Sequence, residues 1–508
     1  MASNTIQWAS TLTDIPDLRV TAVNDAPQRL DGDYVLYWMI ANRRTTWNFA
    51  LEHAIRHAQG KAQPLIVLEA LRIGYRWASP RIHRFVIDGM HDNSAAFAPT
   101  PIAYHPYLEP SAGVGSGLLE ALAQRASIVI TDEFPCFFLP KMVAAAGKKL
   151  DVRLEQVDAN GIMPLRSTEK AFSRAHDFRR FLQKTIRPHL DAFPEPETLS
   201  LASDLPVAQV PADIAARWPA ADPAVLDGTD TDFLASLDID QSVGVVSLRG
   251  GARSAAQNLE RFLDTHLPRY AEARNHPDDD VASGLSPHLH FGHIGAHEIV
   301  ERVLEAGDFS PDALGPAKGA RQGFWPLSEA AQGFLDQIIT WREVGYHFAF
   351  HRPDHADYSS LPGWAQATLA EHADDPREHI YDLDTLARAD TYDDIWNAAQ
   401  RQLVQTGRMH NYLRMLWGKK VLEWSATPRQ ALEKLVELNN RYALDGRNPN
   451  SYSGIFWIFG RFDRAWGPER PIYGKIRYMT SDSTRRKLHL KRYLETYGPG
   501  SEQGDLGL

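Results

Sequence analysis

The chain has 508 residues, which is too long for a single hydrophobic core and predicts at least two domains. Its net charge of −10 argues against non-specific binding of nucleic acid, although it leaves room for a local basic surface. The single cysteine, Cys136, excludes an internal disulfide and a cysteine-based zinc site.

The N-terminal residues Met1 to Trp8 lack the basic and apolar runs of a signal peptide. No later stretch is long and apolar enough to cross a membrane. We therefore expect a cytoplasmic protein without a membrane partner, and a lone cysteine is compatible with a reducing compartment.

Residues 34–160 alternate strand-like and helix-like runs. Apolar runs at 34–39, 64–68 and 127–131 predict buried strands, and amphipathic runs at 47–58 and 118–126 predict helices between them. This alternation is typical of a parallel sheet covered by helices. No Gly-x-Gly-x-x-Gly follows the first strand, so the fingerprint of a classical dinucleotide-binding domain is absent.

The pattern then changes along the chain. We predict an α/β domain over residues 1–190, a connection over 191–230 and an all-helical domain over 231–508. The connection is rich in proline, alanine and aspartate and has weak apolar periodicity. After Gly250 the periodicity is helical and few strand-like runs occur.

Ser286 followed by Pro287 is typical of a helix start, with a hydroxyl N-cap and proline at the first helical position. The free amides and dipole at such an N-terminus attract anions, and the Ser283 and Ser286 hydroxyls add donors. From the residues alone, a plain capped helix is the commoner interpretation and a phosphate site is the alternative.

Trp417, Val421 and Trp424 follow helical spacing and share one face, and Trp396 lies in the preceding helix. Large aromatic residues at this spacing most often fill a core. A chain of closely spaced indoles is also able to pass electrons, and the spacing alone does not separate the two roles.

Five ordered motifs surround these tryptophans: Arg377-Glu-His-Ile-Tyr, Thr406-Gly-Arg-Met-His, Lys419-Lys-Val-Leu-Glu-Trp, Leu444-Asp-Gly-Arg and Glu469-Arg-Pro-Ile-Tyr-Gly-Lys-Ile-Arg-Tyr-Met. Together they resemble the class II branch of the photolyase/cryptochrome family. The resemblance is closest from Gln337 to Tyr493 and covers most of the chain. It implies an N-terminal α/β antenna domain with a parallel sheet, followed by an all-helical FAD-binding domain.

The resemblance implies non-covalent FAD and allows a second, antenna chromophore of unknown identity. The positions that match the family's FAD site are Tyr270, Ser283, Gly284, Leu285, Ser286, Asn411, Arg414, Asn439 and Asp445. An arginine beside the flavin stabilises negative charge on its reduced ring, and Asn439 aligns with an asparagine near flavin N5. The chain departs from the family at Asn411, where a small residue is frequent, and at Asn448, where an aspartate is usual.

The family resemblance also assigns catalytic, relay and DNA-binding positions. Residues matched to the reaction and the lesion pocket are Gln337, Trp341, Met415, Asn439 and Trp457. Trp417, Trp396 and Trp424 match a photoreduction relay, in that order from the flavin to the surface. The resemblance assigns DNA contacts to four basic residues, Lys475, Arg477, Arg485 and Arg486. The main departure is Gln337, which stands where the family has a glutamate.

The function implied is that of a deoxyribodipyrimidine photolyase, a light-driven carbon–carbon lyase that splits cyclobutane pyrimidine dimers in UV-damaged duplex DNA. The dimer has to leave the base stack to reach a buried flavin. The alternative is a non-repairing, cryptochrome-like photoreceptor, favoured by Gln337, His347 and Asn448. A light-independent flavoprotein is a third alternative. We expect a monomer with no metal site.

Overall fold

The computed structural model describes residues 15–499. Its N-terminal part contains a six-stranded sheet with the order β1-β6-β5-β2-β3-β4. The strands are β1 (Val20–Ala22), β2 (Tyr34–Met39), β3 (Leu65–Leu71), β4 (Ala103–Leu108), β5 (Ala126–Asp132) and β6 (Leu154–Val157). Strands β2 to β6 pair in parallel, and the short edge strand β1 is antiparallel to β6. The predicted parallel sheet is therefore confirmed.

Helices cover both faces of this sheet. They are α1 (Phe49–Lys61), α2 (Pro80–Phe97), α3 (Leu118–Ala123) and α4 (Leu139–Lys149). Helix α1 begins at an asparagine N-cap, because Asn48 accepts hydrogen bonds from the amides of Ala50 and Leu51. Both predicted helices are present, with bounds that differ by up to three residues from the sequence pattern.

The segment between the sheet and the main helical region is not a plain loop. It contains α5 (Ala175–Thr185), α6 (Arg187–Leu190), α7 (Ala212–Arg217), α8 (Pro223–Asp227) and α9 (Asp232–Ser236). Helix α5 packs against the helical region, and Arg179 on α5 forms a buried bidentate ion pair with Asp336 at 2.7 and 3.0 Å. Residues 162–190 accordingly share a hydrophobic cluster with helices that follow Gly251.

Within the described residues, the chain after residue 236 forms helices and no strand. They are α10 (Ala252–Arg261), α11 (Tyr270–Ala273), α12 (Ser286–Phe291), α13 (Ala296–Ala306), α14 (Glu329–Leu335), α15 (Arg342–His351), α16 (Gly363–Glu371), α17 (Leu383–Ala387), α18 (Asp394–Thr406), α19 (Asn411–Glu423), α20 (Pro428–Tyr442), α21 (Pro449–Ile458), α22 (Ser481–Lys487) and α23 (Lys491–Tyr497). The predicted order of an α/β part followed by a helical part is confirmed.

A π-helical turn, Asp336–Trp341, joins α14 to α15. Such turns are frequent at functional sites because they shift the register of side chains on an otherwise regular helix. Here the turn carries Gln337 and Trp341. Helix α21, which carries Trp457, packs against α19, which carries Met415, and against α15, which continues directly from the turn that carries Trp341.

None of the helices in residues 15–499 has the length and apolar character needed to cross a bilayer. The expectation of no signal peptide concerns Met1 to Trp8, which lie outside the described residues.

Candidate cofactor and substrate site

The loop before α12 has the geometry of a ligand-binding turn. Gly284 has φ of +70°, a left-handed conformation that glycine adopts without strain. Leu285 is buried and anchors the loop, while Ser286 is exposed and Ser283 is half-buried. The expectation that Ser286 is the N-cap is wrong by one residue: α12 begins at Ser286, and Leu285 precedes it without a side-chain cap. The Ser286 hydroxyl is thus free of helix capping.

Arg408 lies next to this loop and was not among the predicted site residues. A Cβ added to Gly284 would meet Arg408 Nη1 at 3.8 Å. Arg408 is half-buried and forms no ion pair with a carboxylate in the part of the chain that the structure describes. A guanidinium without an acidic partner beside two serine hydroxyls fits a phosphate group. The residue belongs to the Thr406-Gly-Arg-Met-His motif, so the family motif was the available signal.

Tyr270 is the first residue of α11 and is almost fully buried. Its ring makes edge contacts with Phe262 and Phe334, at centroid distances of 5.7 and 5.5 Å. The Arg274 guanidinium lies 5.6 Å from the ring centroid. Tyr270 is therefore held rigidly by packing and Arg274 adds a second cation on this side of the helical part.

Arg414 and Asp445 form a charged pair between α19 and the loop after α20. The two guanidinium nitrogens of Arg414 donate to the two carboxylate oxygens of Asp445 at 3.1 and 3.4 Å. Burial alone would raise the pKa of Asp445, but Arg414, with a hydrogen bond from Ser286, lowers it below its ordinary value. Three predicted cofactor residues, Ser286, Arg414 and Asp445, thus meet in one place.

Asn439 lies on α20 and is buried. Its Nδ2 donates to Ser451 Oγ at 2.6 Å and to Asn440 Oδ1 at 3.2 Å. Both N–H bonds of the amide are therefore engaged, and its carbonyl oxygen remains as an acceptor for a ligand donor. Asn411, by contrast, is exposed at the start of α19.

The departure at Asn448 has a structural explanation. Its side-chain oxygen caps α21 by accepting from the Asn450 amide at 2.8 Å. Its Nδ2 lies 3.1 Å from His290 Nδ1 and donates to the Tyr346 hydroxyl at 3.0 Å. Burial lowers the pKa of His290 well below its ordinary value, so the ring is neutral and pairs with an amide better than with a carboxylate.

The second departure, His347, lies in the core. Its ring contacts Phe178 at a centroid distance of 5.2 Å, and neither ring nitrogen has a hydrogen-bond partner among the described residues. Burial lowers the pKa of His347 to about 4, which keeps it neutral at pH 7.

The three predicted relay tryptophans form one continuous contact chain. The rings of Trp417 and Trp396 are stacked with centroids 6.4 Å apart, and Trp396 meets Trp424 edge-on at 5.5 Å. Hydrogen bonds fix the first two, because Trp417 Nε1 donates to Gln400 Oε1 at 2.9 Å and Trp396 Nε1 donates to the Trp417 carbonyl at 3.0 Å. The contacts follow the predicted order.

The prediction that Trp424 ends the relay at the surface is wrong, because Trp424 is only 1% exposed. Tyr392 and Tyr381 cover it, with ring centroids at 5.6 and 5.3 Å. Tyr392 is 56% exposed and is the aromatic side chain that leads outward. Sequence reasoning missed it because it lies 32 positions before Trp424, outside the helical spacing of the stripe.

The predicted lesion-side residues are all accessible. Gln337, Trp341, Met415 and Trp457 are half-buried, so each side chain keeps some surface open to solvent. Lys419 and Arg477 lie over the Trp457 ring, at 4.8 and 5.6 Å from its centroid. Lys419 is fully buried and donates to the Ile458 carbonyl at 2.7 Å. The cationic setting of Trp457 was not predicted.

The C-terminal basic residues are largely paired. Lys475 binds Glu469 at 2.8 Å, Arg477 binds Asp463 at 2.8 Å and Arg485 binds Asp394 at 2.6 Å. Arg486 is exposed and forms no ion pair among the described residues. The local positive potential is therefore weaker than the run of basic letters indicates.

A cavity of about 580 Å³ opens at the carboxyl ends of β2, β3 and β4. Ligands of open α/β sheets bind at this edge. Aromatic side chains line it, among them Tyr107, Phe134, Phe137 and Phe138, and the helical part contributes His290, Phe291 and Arg447. Its charged lining residues are Arg43, Arg72, Lys141, Lys149 and Arg447 against Glu109 and Glu120. The sequence did not mark this cavity.

Comparison with known proteins finds similar proteins both by fold and by sequence. No protein-family model matches the chain. The fold resembles that of a bacterial class III photolyase from Agrobacterium tumefaciens, with a TM-score of 0.58 and 18% identity over 85% of this chain and 81% of that chain. The fold is therefore that of a photolyase.

Curated relatives extend the match to the sequence. The chain is 34% identical over 94% of its length to a deoxyribodipyrimidine photo-lyase of Methanothermobacter thermautotrophicus, covering 97% of that protein. It is 32% identical to one of Oryza sativa over 91% of the chain and 87% of the relative, and 31% identical to one of Potorous tridactylus over 91% and 81%. The chain belongs to the deoxyribodipyrimidine photolyase family.

Proposed function

We propose that this protein is a light-driven, FAD-dependent lyase that repairs cyclobutane pyrimidine dimers in DNA. The observation that carries the proposal is on helix α19. Arg414, paired with Asp445, and Trp417, the first relay tryptophan, are three positions apart and so neighbours on one helix surface. A charged ligand pocket and an electron relay are thereby joined. The relatives are named as photolyases, so the photoreceptor alternative is not favoured.

The residues present fit FAD. The loop 283–286, with Arg408 beside Gly284, supplies hydroxyls and a cation without an acidic partner among the described residues for the pyrophosphate. Arg414 holds positive charge for the isoalloxazine ring, and Asp445 keeps that guanidinium oriented. When bound and reduced, FAD supplies one electron after light absorption, and the protein's task is to bind, orient and exclude water.

Asn439 and Gln337 complete the reaction site in this proposal. The carbonyl oxygen of Asn439, whose two N–H bonds are engaged, would serve as an acceptor for a protonated flavin nitrogen. Gln337 donates an N–H to a thymine carbonyl oxygen, where negative charge develops during splitting. Unlike the usual glutamate, Gln337 is unable to transfer a proton to that oxygen.

The substrate we propose is UV-damaged duplex DNA with the dimer flipped out of the stack. A damaged pair is cheaper to extrude than an intact one. Trp341, Met415 and Trp457 offer apolar faces for the extruded bases, and the Arg477 guanidinium lies near the Trp457 ring. Arg477, Arg486, Lys475 and Arg485 are the proposed phosphate contacts. A monomer in the cytoplasm is part of the same proposal.

We assign the 580 Å³ cavity to an antenna chromophore. Its size falls in the range of small-molecule sites, about 300–1,000 Å³. Aromatic walls suit a planar ring system, and the surplus of lysine and arginine on its lining favours an anionic one. Met142→Trp on α4 narrows the cavity and is expected to abolish chromophore uptake while FAD content stays unchanged.

Repair of a defined substrate tests the function. Purified protein should release FAD on denaturation, and the reduced protein should restore thymines in an oligonucleotide with one cyclobutane dimer under light but not in darkness. A protein that neither contains FAD nor takes it up contradicts the proposal. FAD uptake without any restored thymine would favour the photoreceptor alternative.

A further inference from the structure

Two histidines and a glutamate meet on the face of the sheet covered by α1, far along the chain from the flavin motifs. His53 and His57 are one helical turn apart on α1, and Glu155 is on β6 beneath them. His53 Nε2 lies 2.9 Å and His57 Nε2 lies 3.8 Å from the same oxygen, Glu155 Oε2. The two rings are nearly perpendicular, with centroids 4.6 Å apart.

The spacing suits a tetrahedral metal ion. The three ligand atoms lie within 4.8 Å of one another. Zinc bound to nitrogen and oxygen at about 2.0–2.2 Å places its ligand atoms roughly 3.4 Å apart. Small rotations of the two imidazoles bring the observed distances to that value. Two histidines at positions i and i+4 of a helix are a common zinc-binding pair, and a carboxylate is a common third ligand.

Arg153 orients the carboxylate ligand of the site. Arg153 Nε donates to Glu155 Oε1 at 3.1 Å, which orients the carboxylate and leaves Oε2 facing the histidines. The three side chains are between 12% and 22% exposed, so an ion and a water molecule have access.

We propose that His53, His57 and Glu155 form a site for a divalent transition-metal ion of the zinc class, with water as the fourth ligand. The ion would tie α1 to β6 at the edge of the sheet. This departs from the expectation of no metal site, because the single cysteine excludes only cysteine-based zinc sites. None of the three residues belongs to the proposed cofactor or DNA surfaces. A test of metal binding is therefore independent of a test of DNA repair.

A second cluster in the chain provides a matched comparison. His276, Asp279 and His489 also lie within 4.8 Å of one another. There, however, Arg269 binds the Asp279 carboxylate at 3.0 Å, and the His489 amide donates to His276 Nδ1 at 3.2 Å. An arginine holds the carboxylate in both clusters, but here His276 Nδ1 already accepts a hydrogen bond and His489 is 67% exposed, so we expect no metal there.

The test is Zn²⁺ binding by protein stripped with a chelator, followed by calorimetry, with Co²⁺ absorption as a report of tetrahedral geometry. Wild-type protein should bind one equivalent of Zn²⁺ and unfold at a higher temperature with it. Loss of a residue that only orients a ligand costs about 10–100-fold in metal affinity, so Arg153→Gln should weaken binding by that amount. His57→Gln and Glu155→Gln should weaken it further.

His489→Asn is the matched control and should bind Zn²⁺ as the wild type does. Circular dichroism and flavin content establish that each variant is folded, and the conservative Glu155→Gln keeps the shape of the site. Absence of saturable binding to wild-type protein overturns the proposal. So does binding that survives in both His57→Gln and Glu155→Gln, or that is lost in His489→Asn.

Discussion

The indole rings of Trp396 and Trp417 are parallel to within 8°, and the N–H of Trp396 donates to the Trp417 backbone carbonyl at 3.0 Å. A side chain of one helix is thereby locked to the main chain of the next. Both rings are buried, so the stack lies in a dry and rigid setting. Core packing and electron transfer are compatible here, because a relay needs fixed distances and a packed core provides them.

Trp417→Phe is expected to slow light-driven flavin reduction by external thiol sharply, with FAD content nearly unchanged. Phenylalanine keeps most of the volume but is far harder to oxidise than indole. The substitution leaves Gln400 Oε1 without its 2.9 Å donor, so the free energy of unfolding should fall by about 1–3 kcal/mol. The measurement is flavin reduction followed by absorbance.

Trp218→Phe is the control for that variant. Trp218 is also buried, and its indole donates to the Val114 carbonyl at 2.9 Å, but it lies outside the relay. It should lose similar stability and keep wild-type photoreduction. Equal photoreduction in Trp417→Phe and Trp218→Phe would mean that Trp417 has a purely structural role.

Tyr392→Phe tests how the relay reaches solvent. The Tyr392 ring is exposed and lies 5.6 Å from Trp424, which is itself buried. Removal of the hydroxyl should slow photoreduction moderately, since oxidised Trp424 loses its outer phenol donor. Time-resolved absorbance should show a longer-lived tryptophan radical. A wild-type radical lifetime in the variant would mean that Trp424 reacts with solvent reductant directly.

Gln337→Glu is expected to raise repair per absorbed photon without changing FAD binding. A preorganised donor at developing negative charge is commonly worth about 10²–10³ in rate, and a neutral amide recovers part of this. The measurement is restored thymines per photon, with dark duplex affinity as the control. Lower repair at equal affinity would show that Gln337 has another role.

Arg477→Ala should weaken binding to dimer-containing duplex more than it weakens FAD binding. Loss of one phosphate contact reduces the salt dependence of binding by about one counterion. Asp463, its 2.8 Å partner, is left unpaired and repels phosphate. Binding is measured by fluorescence anisotropy over a range of salt concentrations.

Arg187→Ala is its control, because Arg187 is similarly exposed and paired with an aspartate but belongs to α6. It should leave DNA affinity unchanged. If the wild type shows no salt-sensitive preference for damaged over intact duplex, the assignment of Arg477 to DNA binding fails.

Lys419 predicts a pH dependence of stability. Burial, with a further contribution from Arg477, lowers its pKa from 10.5 to about 7 despite the opposing charge of Asp463. Between these two values the unfolded chain binds more protons than the folded protein. The contribution of Lys419 to the free energy of unfolding therefore rises with pH between these two values, by at most about 1.4 kcal/mol per pH unit.

Lys419→Met removes this group and should flatten the rise. Urea unfolding of both proteins at several pH values between about 7 and about 10 measures the difference between their slopes. Identical slopes would mean that Lys419 is charged in the folded protein throughout.

The sequence predicted the elements whose pattern is local. Strand β2 (Tyr34–Met39) is a run of six buried residues, and its position was predicted to the residue. Strand β4 was missed because His105 and Pro106 interrupt its apolar run, and the short strands β1 and β6 carry too little periodic signal.

Features that depend on tertiary contacts could not be predicted from the sequence. Arg485, for example, pairs with Asp394, 91 positions away in the sequence, while the neighbouring Arg486 forms no ion pair among the described residues. Trp424 lies on the predicted helix face, but Tyr381 and Tyr392 from another segment bury it. Spacing identifies a face, and only the packed fold decides what covers it.

The most direct test of the central claim is the action spectrum of thymine restoration by the wild-type protein. Reduced, FAD-replete protein is mixed with an oligonucleotide that carries one cyclobutane dimer, and restored thymines are counted at a series of wavelengths. We expect a spectrum that follows the absorption of the bound reduced flavin, with no restoration in darkness. Restoration that is independent of light, or none at any wavelength by protein that binds FAD and damaged duplex, would contradict it.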